Sequence, residues 1–355
     1  MSRHSSNYSV ITLDAAGTCL SLKIRPWLSH AFPMNAPLLE SLDLEMEYIV
    51  FMPTTKPLFP FGVPHLKIAQ ISMLDFVSFR FCLAAFQSVT SLRLACIYTG
   101  DQGGGLDAYT SFRDGLMALP SLGHLELHNL YDYYNLPLTP VSQLPVVLPA
   151  LQVLDAYSPF TYGFLDFLGP FIHAASLTVL TLQPGGSRVE DTLDVHFPSV
   201  RHLTLLGITR QIPGLGILGQ FPSIQRLTCS FSTIIKNGDQ DCGIDVVLSA
   251  LGPGTHEDEN TSHRTPCPRL HTVALSDMSP VDRQLDVVAL TSKISALQHD
   301  GIPIHKRMLP RSVFSQPGLD LEAIAELRKL VEIEDFQIDR PTPFSCERFS
   351  RFEEL

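Results

Sequence analysis

The sequence predicts an α/β chain wound as a curved solenoid, with a parallel sheet on the concave side and irregular helices and loops on the convex side. Three observations carry that prediction. Residues 197–205 read FPSVRHLTL and residues 221–229 read FPSIQRLTC, so nearly one phrase occurs twice at a spacing of 24 residues. The underlying pattern, apolar-x-x-apolar-x-apolar, starts at residues 39, 66, 89, 122, 151, 177, 200, 224 and 270, and seven of the eight intervals lie between 23 and 33 residues. A proline precedes most copies, at Pro37, Pro64, Pro120, Pro149, Pro198, Pro222 and Pro268. One β-α unit per interval cannot bury its apolar face alone, whereas stacked units share a continuous core.

The elements follow in chain order. VITLDAAGTCLSLKI (10–24) reads as a strand-like hairpin, so residues 1–36 are expected to form an N-terminal cap. The repeat array is expected over residues 37–335. Its clearest strand phrases are Leu39-Leu42-Leu44, Val89-Leu92-Leu94, Leu122-Leu125-Leu127, Leu177-Leu180-Leu182 and Val200-Leu203-Leu205. The L-x-L alternation puts two apolar side chains on one face of an extended segment. Proline fixes φ and lacks an amide donor, so it marks the entry to a strand without interrupting its ladder.

Between the phrases lie stretches at helical spacing. SMLDFVSFRFCLAAF (72–86) spaces Leu74, Val77, Phe81 and Ala85 by three and four; residues 108–119 and 162–174 are shorter, and Pro170 weakens the second. The 46-residue interval before residue 270 implies a loop insertion over 231–266, with a short helix at 244–251 and the polar stretch GPGTHEDENTSHRTP. Helices are expected over 282–298 and 319–330. Degenerate strands are expected in GIPIHKRML (301–309) and LRKLVEIEDF (327–336), for about ten coils in all. Residues 336–355 read as a tail, partly disordered beyond Pro343.

The period and the L-x-x-L-x-L phrase resemble leucine-rich repeats over roughly residues 37–335. The phrases FPSVRHLTLLG, LPSLGHLELHNL and LPALQVLDAYSP look most like the repeat regions of fungal F-box-type proteins. That resemblance implies a substrate-recognition arm of a ubiquitin ligase, non-enzymatic, with a protein partner on the concave face. Two features depart from it. Consensus repeats carry Asn or Cys three residues after the last strand leucine, and here Leu130, Gly185, Ile208 and Met278 stand there. Irregular coils held by packing and loop backbone bonds are therefore expected. No F-box helical segment is visible before the repeats, so a Skp-type adaptor is a partner only if an F-box exists upstream.

Composition narrows the function classes. The chain has 355 residues, 45% of them hydrophobic and 17% charged, enough apolar material for a large core. A net charge of −11 disfavours nucleic acid and anionic membranes as general partners. Seven scattered cysteines without a C-x-x-C pair predict reduced, mostly buried thiols. The N-terminus lacks a secretory h-region and no run of 18 apolar residues occurs, so a soluble cytoplasmic or nuclear monomer is expected.

Chemical motifs are sparse. His256, His263, Cys267 and His271 form a dense set of potential metal ligands, but their spacing matches no zinc finger or ribbon, and no metal or cofactor is expected. TGDQGGGLD (99–107) lacks the Lys-Ser/Thr of a phosphate loop and reads as a connector. No serine sits in a G-x-S-x-G elbow, so no catalytic residue is assigned. The alternative reading is a hydrolase or transferase with an unrecognised site on the repeat scaffold.

The informative surface is the sheet face opposite the leucines. There the variable strand positions stack His124, Glu126 and His128 beside Asp155 and Tyr157, with His202 and Arg226 in later copies. These seven are the expected protein-binding residues, forming a polar, histidine-bearing patch.

Overall fold

Backbone hydrogen bonds explain why the letters of the phrase recur. A computed structural model of the chain describes residues 11–13, 20–22, 36–45, 57–98, 105–131, 144–157, 171–182, 197–208, 218, 221–231, 248, 251, 267–275, 287–309, 320–336 and 342–344. The first apolar residue of a copy donates its N–H to the carbonyl three residues back: Leu66 to Val63 at 3.1 Å, Leu122 to Leu119 at 3.2 Å, Val200 to Phe197 at 3.3 Å and Ile224 to Phe221 at 3.1 Å. Each of these β-turns has its proline at the second position, where φ is already correct. The residue after the first apolar one then bonds the preceding copy, as Thr90 does to Lys67 and Gly123 to Thr90, both at 2.9 Å. Turn, then lateral bond, then strand is the repeated instruction.

The chain divides into two compact units. The first comprises Met1–Ser158, Pro170–Ser176 and Arg340–Leu355. It opens with an antiparallel hairpin of β1 (Ile11–Leu13) and β2 (Leu20–Leu22), as the N-terminal phrase predicts. Five strands then pair in parallel: β3 (Ser41–Glu45), β4 (Ile68–Ser72), β5 (Ser91–Tyr98), β6 (His124–Tyr131) and, after the short β7 (Val146–Val147), β8 (Val153–Tyr157). Every one begins two residues after its first phrase residue. β7 pairs in parallel with β9 (Ile172–His173).

In this unit the leucine positions form rows. Leu42, Ala69, Leu92, Leu125 and Leu154 are in register and almost fully buried. Each large aliphatic side chain buried in this way contributes about 1.5–3 kcal/mol. An aromatic cluster fills the core beyond them, with Phe76 stacked on Phe112 at 4.3 Å and Phe79 edge-on to Phe112 at 5.2 Å. Phe79 lies in a 3-10 turn (Ser78–Cys82) that the short α1 (Leu83–Phe86) continues, Phe76 just precedes that turn, and Phe112 lies in α2 (Gly105–Met117). Gly115 is required at the crossing, since a Cβ there would meet the Phe79 ring at 2.9 Å.

The second unit comprises Pro159–Gly169 and Leu177–Asp339. Six parallel strands follow one another: β10 (Val179–Leu182), β11 (His202–Ile208), β12 (Arg226–Phe231), β13 (Thr272–Leu275), β14 (Lys306–Leu309) and β15 (Glu332–Asp335). Leu180, Leu203, Leu227 and Val273 form a buried row in this unit, and Arg307 takes the same register position, fully buried. α3 (Val287–His299) and α4 (Leu321–Leu330) pack together, and the Gln298 side chain ties them by donating to the carbonyls of Ile304 (2.6 Å) and Leu330 (3.3 Å). Asp320 caps α4 by accepting the N–H groups of Glu322 and Ala323.

The fold is thus mixed α/β, with eleven parallel strands and few helices among the described residues. Several sequence expectations change. Residues 72–86 do not form one helix. Of the expected face, Leu74 and Ala85 are buried but Val77 is exposed, while Phe76, Phe79 and Cys82 are buried at a spacing of three, the 3-10 period. Asp75 enforces the tight turn by accepting both the N–H and the hydroxyl of Ser78. At the end of the helix expected over 162–174, Ile172–His173 is extended; residues 162–170 lie outside the described set. Most of the insertion over 231–266 is also outside it, although Leu248 and Leu251 are helical and buried. The four described cysteines, Cys82, Cys96, Cys229 and Cys267, are free and buried. No helix among the described residues is long and apolar enough to cross a membrane.

Candidate functional site

Pleating sends alternate side chains of the first unit to the face opposite the leucine rows. Strand register aligns one polar residue from each of five strands there: Asp43, Gln70, Arg93, Glu126 and Asp155. The five are linked. Gln70 donates to Asp43 at 3.2 Å and accepts from Arg93 at 3.2 Å, and the Arg93 guanidinium pairs with the Glu126 carboxylate. His124 Nε2 lies 3.3 Å from both Glu126 Oε1 and Asp155 Oδ2, and His128 Nε2 lies 3.4 Å from Glu126 Oε2. Buried charges persist only when paired and hydrogen-bonded, and this rung satisfies that condition residue by residue.

The electrostatics follow from the pairing. Burial alone would push the His124 imidazole down, but its bonds to Asp155 and Glu126 outweigh it and raise the group to about 9. Burial likewise opposes ionisation of Glu126, yet His124, His128 and Arg93 together hold its carboxyl well below the usual range. Protonated His124 and the Arg93 guanidinium thus both face the Glu126 carboxylate.

A segment distant in sequence covers this rung. Thr342 Oγ1 donates to Glu126 Oε1 at 2.7 Å and accepts from Arg93 Nη2 at 3.0 Å. The Phe344 N–H bonds the same hydroxyl at 3.2 Å. The Phe344 ring lies 4.5 Å from the Arg93 guanidinium carbon and edge-on to His124 at 5.8 Å, within cation–π range. Phe344 is buried, and with it Arg93 and Glu126 are only 3% and 2% exposed.

His124, Glu126 and Asp155 offer ligand atoms within 4.8 Å of one another, as a metal centre requires. The chemistry of the set fits an ion-pair network better. Glu126 is already neutralised by Arg93 and bonded by Thr342, and His124 holds the proton that a metal ligand must release.

Of the seven residues expected from sequence, His124, Glu126, His128 and Asp155 meet in this cluster. Tyr157 is opposite His128 in register, with its side chain outside the described set. His202 and Arg226 are register partners in the second unit, where Arg226 Nε donates to Thr228 at 3.3 Å. The sequence-derived metal set does not assemble among the described residues: Cys267 is buried with its Sγ against the Leu218 carbonyl at 3.6 Å, and His271 bonds Thr272, while His256 and His263 lie outside them. Arg93, Thr342 and Phe344 were not among the expected site residues. For Arg93 a signal existed, a lone basic residue on the rung beside Glu126. For the other two no local signal does.

No family model matches the chain, and no curated protein matches it. Among solved structures, a structural-genomics protein from Bacteroides fragilis is 14% identical, with 72% of this chain and 67% of that one covered at a TM-score of 0.38. A chain of the Rad7 and Elc1 complex from yeast is also 14% identical, covering 93% of this chain and 85% of that one at a TM-score of 0.29.

Proposed function

We propose that the chain is a non-enzymatic protein-interaction module, the recognition arm of a leucine-rich-repeat receptor of the F-box-like kind. It takes a protein partner on the polar, concave face of its parallel sheet. The observation that carries the reading is the rung Asp43–Gln70–Arg93–Glu126–Asp155, polar side chains from five consecutive strands held in place before any partner arrives. Such preorganised charge supplies specificity and fixes the register of a partner. Asp155 is half-buried, so it can be reached from outside.

The test is affinity capture with the tagged full chain and with Asp155→Lys, from the same extract, with quantitative identification. Proteins held by the unaltered chain and lost by the variant support the reading, and identical recovery by both refutes it. Co-recovery of a Skp-type adaptor and a cullin supports ligase membership; a partner recovered without them identifies a free-standing receptor.

A further inference from the structure

The face that the proposed function assigns to a partner already holds a short bent segment, the chain's own Thr342-Pro343-Phe344. Its two anchors are chemically specific. A hydroxyl bridges Arg93 and Glu126, with bonds of 3.0 and 2.7 Å. An aromatic ring two residues later lies over the same guanidinium, at 4.5 Å, and against the His124 ring. The residue between them, Pro343, is exposed. The proline restricts Thr342 to extended conformations, so the segment loses less freedom on docking than a flexible one.

We propose that the polar face of the first unit is a docking site for a short partner segment of the form Ser/Thr-x-Phe, and that Thr342–Phe344 is its intramolecular stand-in. This inference rests on the protein-binding reading and names the chemistry of the partner. Its charge logic is internal to the site. The hydroxyl satisfies a donor and an acceptor that already neutralise each other, so an uncharged segment fits and a carboxylate or phosphate in its place meets Glu126. The aromatic ring supplies the π face over which the Arg93 guanidinium lies. Because the stand-in is tethered, its effective concentration is in the millimolar range, and a free segment of equal intrinsic affinity competes poorly until the tail leaves.

The experiment uses the full chain and a fluorescein-labelled peptide of residues 340–348, RPTPFSCER, carrying Cys346→Ser to avoid oxidation. Fluorescence anisotropy is read on the unaltered chain and on Phe344→Ala, which vacates the aromatic seat. The variant is expected to bind the peptide at least tenfold more tightly than the unaltered chain. Peptides with Thr342→Val or Phe344→Ala, titrated against the same variant protein, are expected to lose at least tenfold. These peptide arms are compared on one and the same protein, so their differences report on the peptide's own hydroxyl and ring. No peptide binding to the Phe344→Ala chain, or equal binding of all three peptides, overturns the inference. Partner loss in Asp155→Lys alongside that result leaves the protein-binding reading standing with another motif, whereas identical partner recovery defeats the reading itself.

Discussion

Glu126 is the residue on which the polar rung depends, since it accepts from Arg93, Thr342, His124 and His128 within one buried carboxylate. Glu126→Ala leaves the Arg93 guanidinium buried without its counter-charge, and breaking such a pair costs about 3–5 kcal/mol. The urea midpoint of the unaltered chain and of the variant measures this, and Glu126→Gln, which keeps hydrogen-bonding atoms, is expected to lose less. His124 predicts a pH dependence. Its folded value rises from 6.5 to about 9, so the stability it contributes is fully present below 6.5 and is lost as pH climbs through 9. Glu126 is lowered from 4.5, so its contribution holds above 4.5 and fades as pH falls below that. Arg93 on β5, His128 on β6 and Asp155 on β8 face the same cluster. Stability of the first unit is therefore expected to be greatest between about 4.5 and 6.5 and to decline by about 3 kcal/mol toward pH 10. Urea midpoints across that range, with Asp155→Asn flattening the alkaline limb, check the assignment.

At the scale of elements, the strands were legible in the sequence because their instructions are local. The Pro-x-apolar turn, the lateral backbone bond and the L-x-L alternation all act within about ten residues, and all nine expected copies became strands. The degenerate copies near residues 306 and 332 did too. Helical spacing was less reliable. Residues 72–86 offer both the set Leu74, Val77, Phe81 and Ala85 and the three-spaced set Phe76, Phe79 and Cys82; ring packing of Phe76 and Phe79 against Phe112 buries the second and leaves Val77 of the first exposed. The site was half legible. His124, Glu126, His128 and Asp155 follow from strand register, which the phrase discloses. The Thr342 contact spans 216 residues to Glu126 and 249 to Arg93, so no local pattern records it. Two substitutions probe the elements. Leu125→Ala removes a fully buried row side chain and is expected to cost about 2–5 kcal/mol in urea unfolding. Asp320→Ala removes the cap of α4 and is expected to cost about 0.5–2 kcal/mol, read as faster hydrogen exchange over Leu321–Leu330.

At the scale of the whole molecule, repetition supplies the scaffold and the departures from it supply the chemistry. One sheet face of each unit carries mostly apolar rows, while the other differs from strand to strand. In the first unit those differences sum to an ion-paired polar surface that a short hydroxyl-and-aromatic segment covers. On the proposed reading this face selects a polypeptide by pattern, and the net charge of −11 gives no general attraction to phosphate backbones. The measurement that bears most directly on this account is quantitative recovery of captured partners from one extract by three full-length chains: unaltered, Phe344→Ala and Asp155→Lys. The account predicts that the same partners rise with Phe344→Ala, as the stand-in leaves the face, and fall with Asp155→Lys. Partner recovery that is equal across all three chains contradicts it.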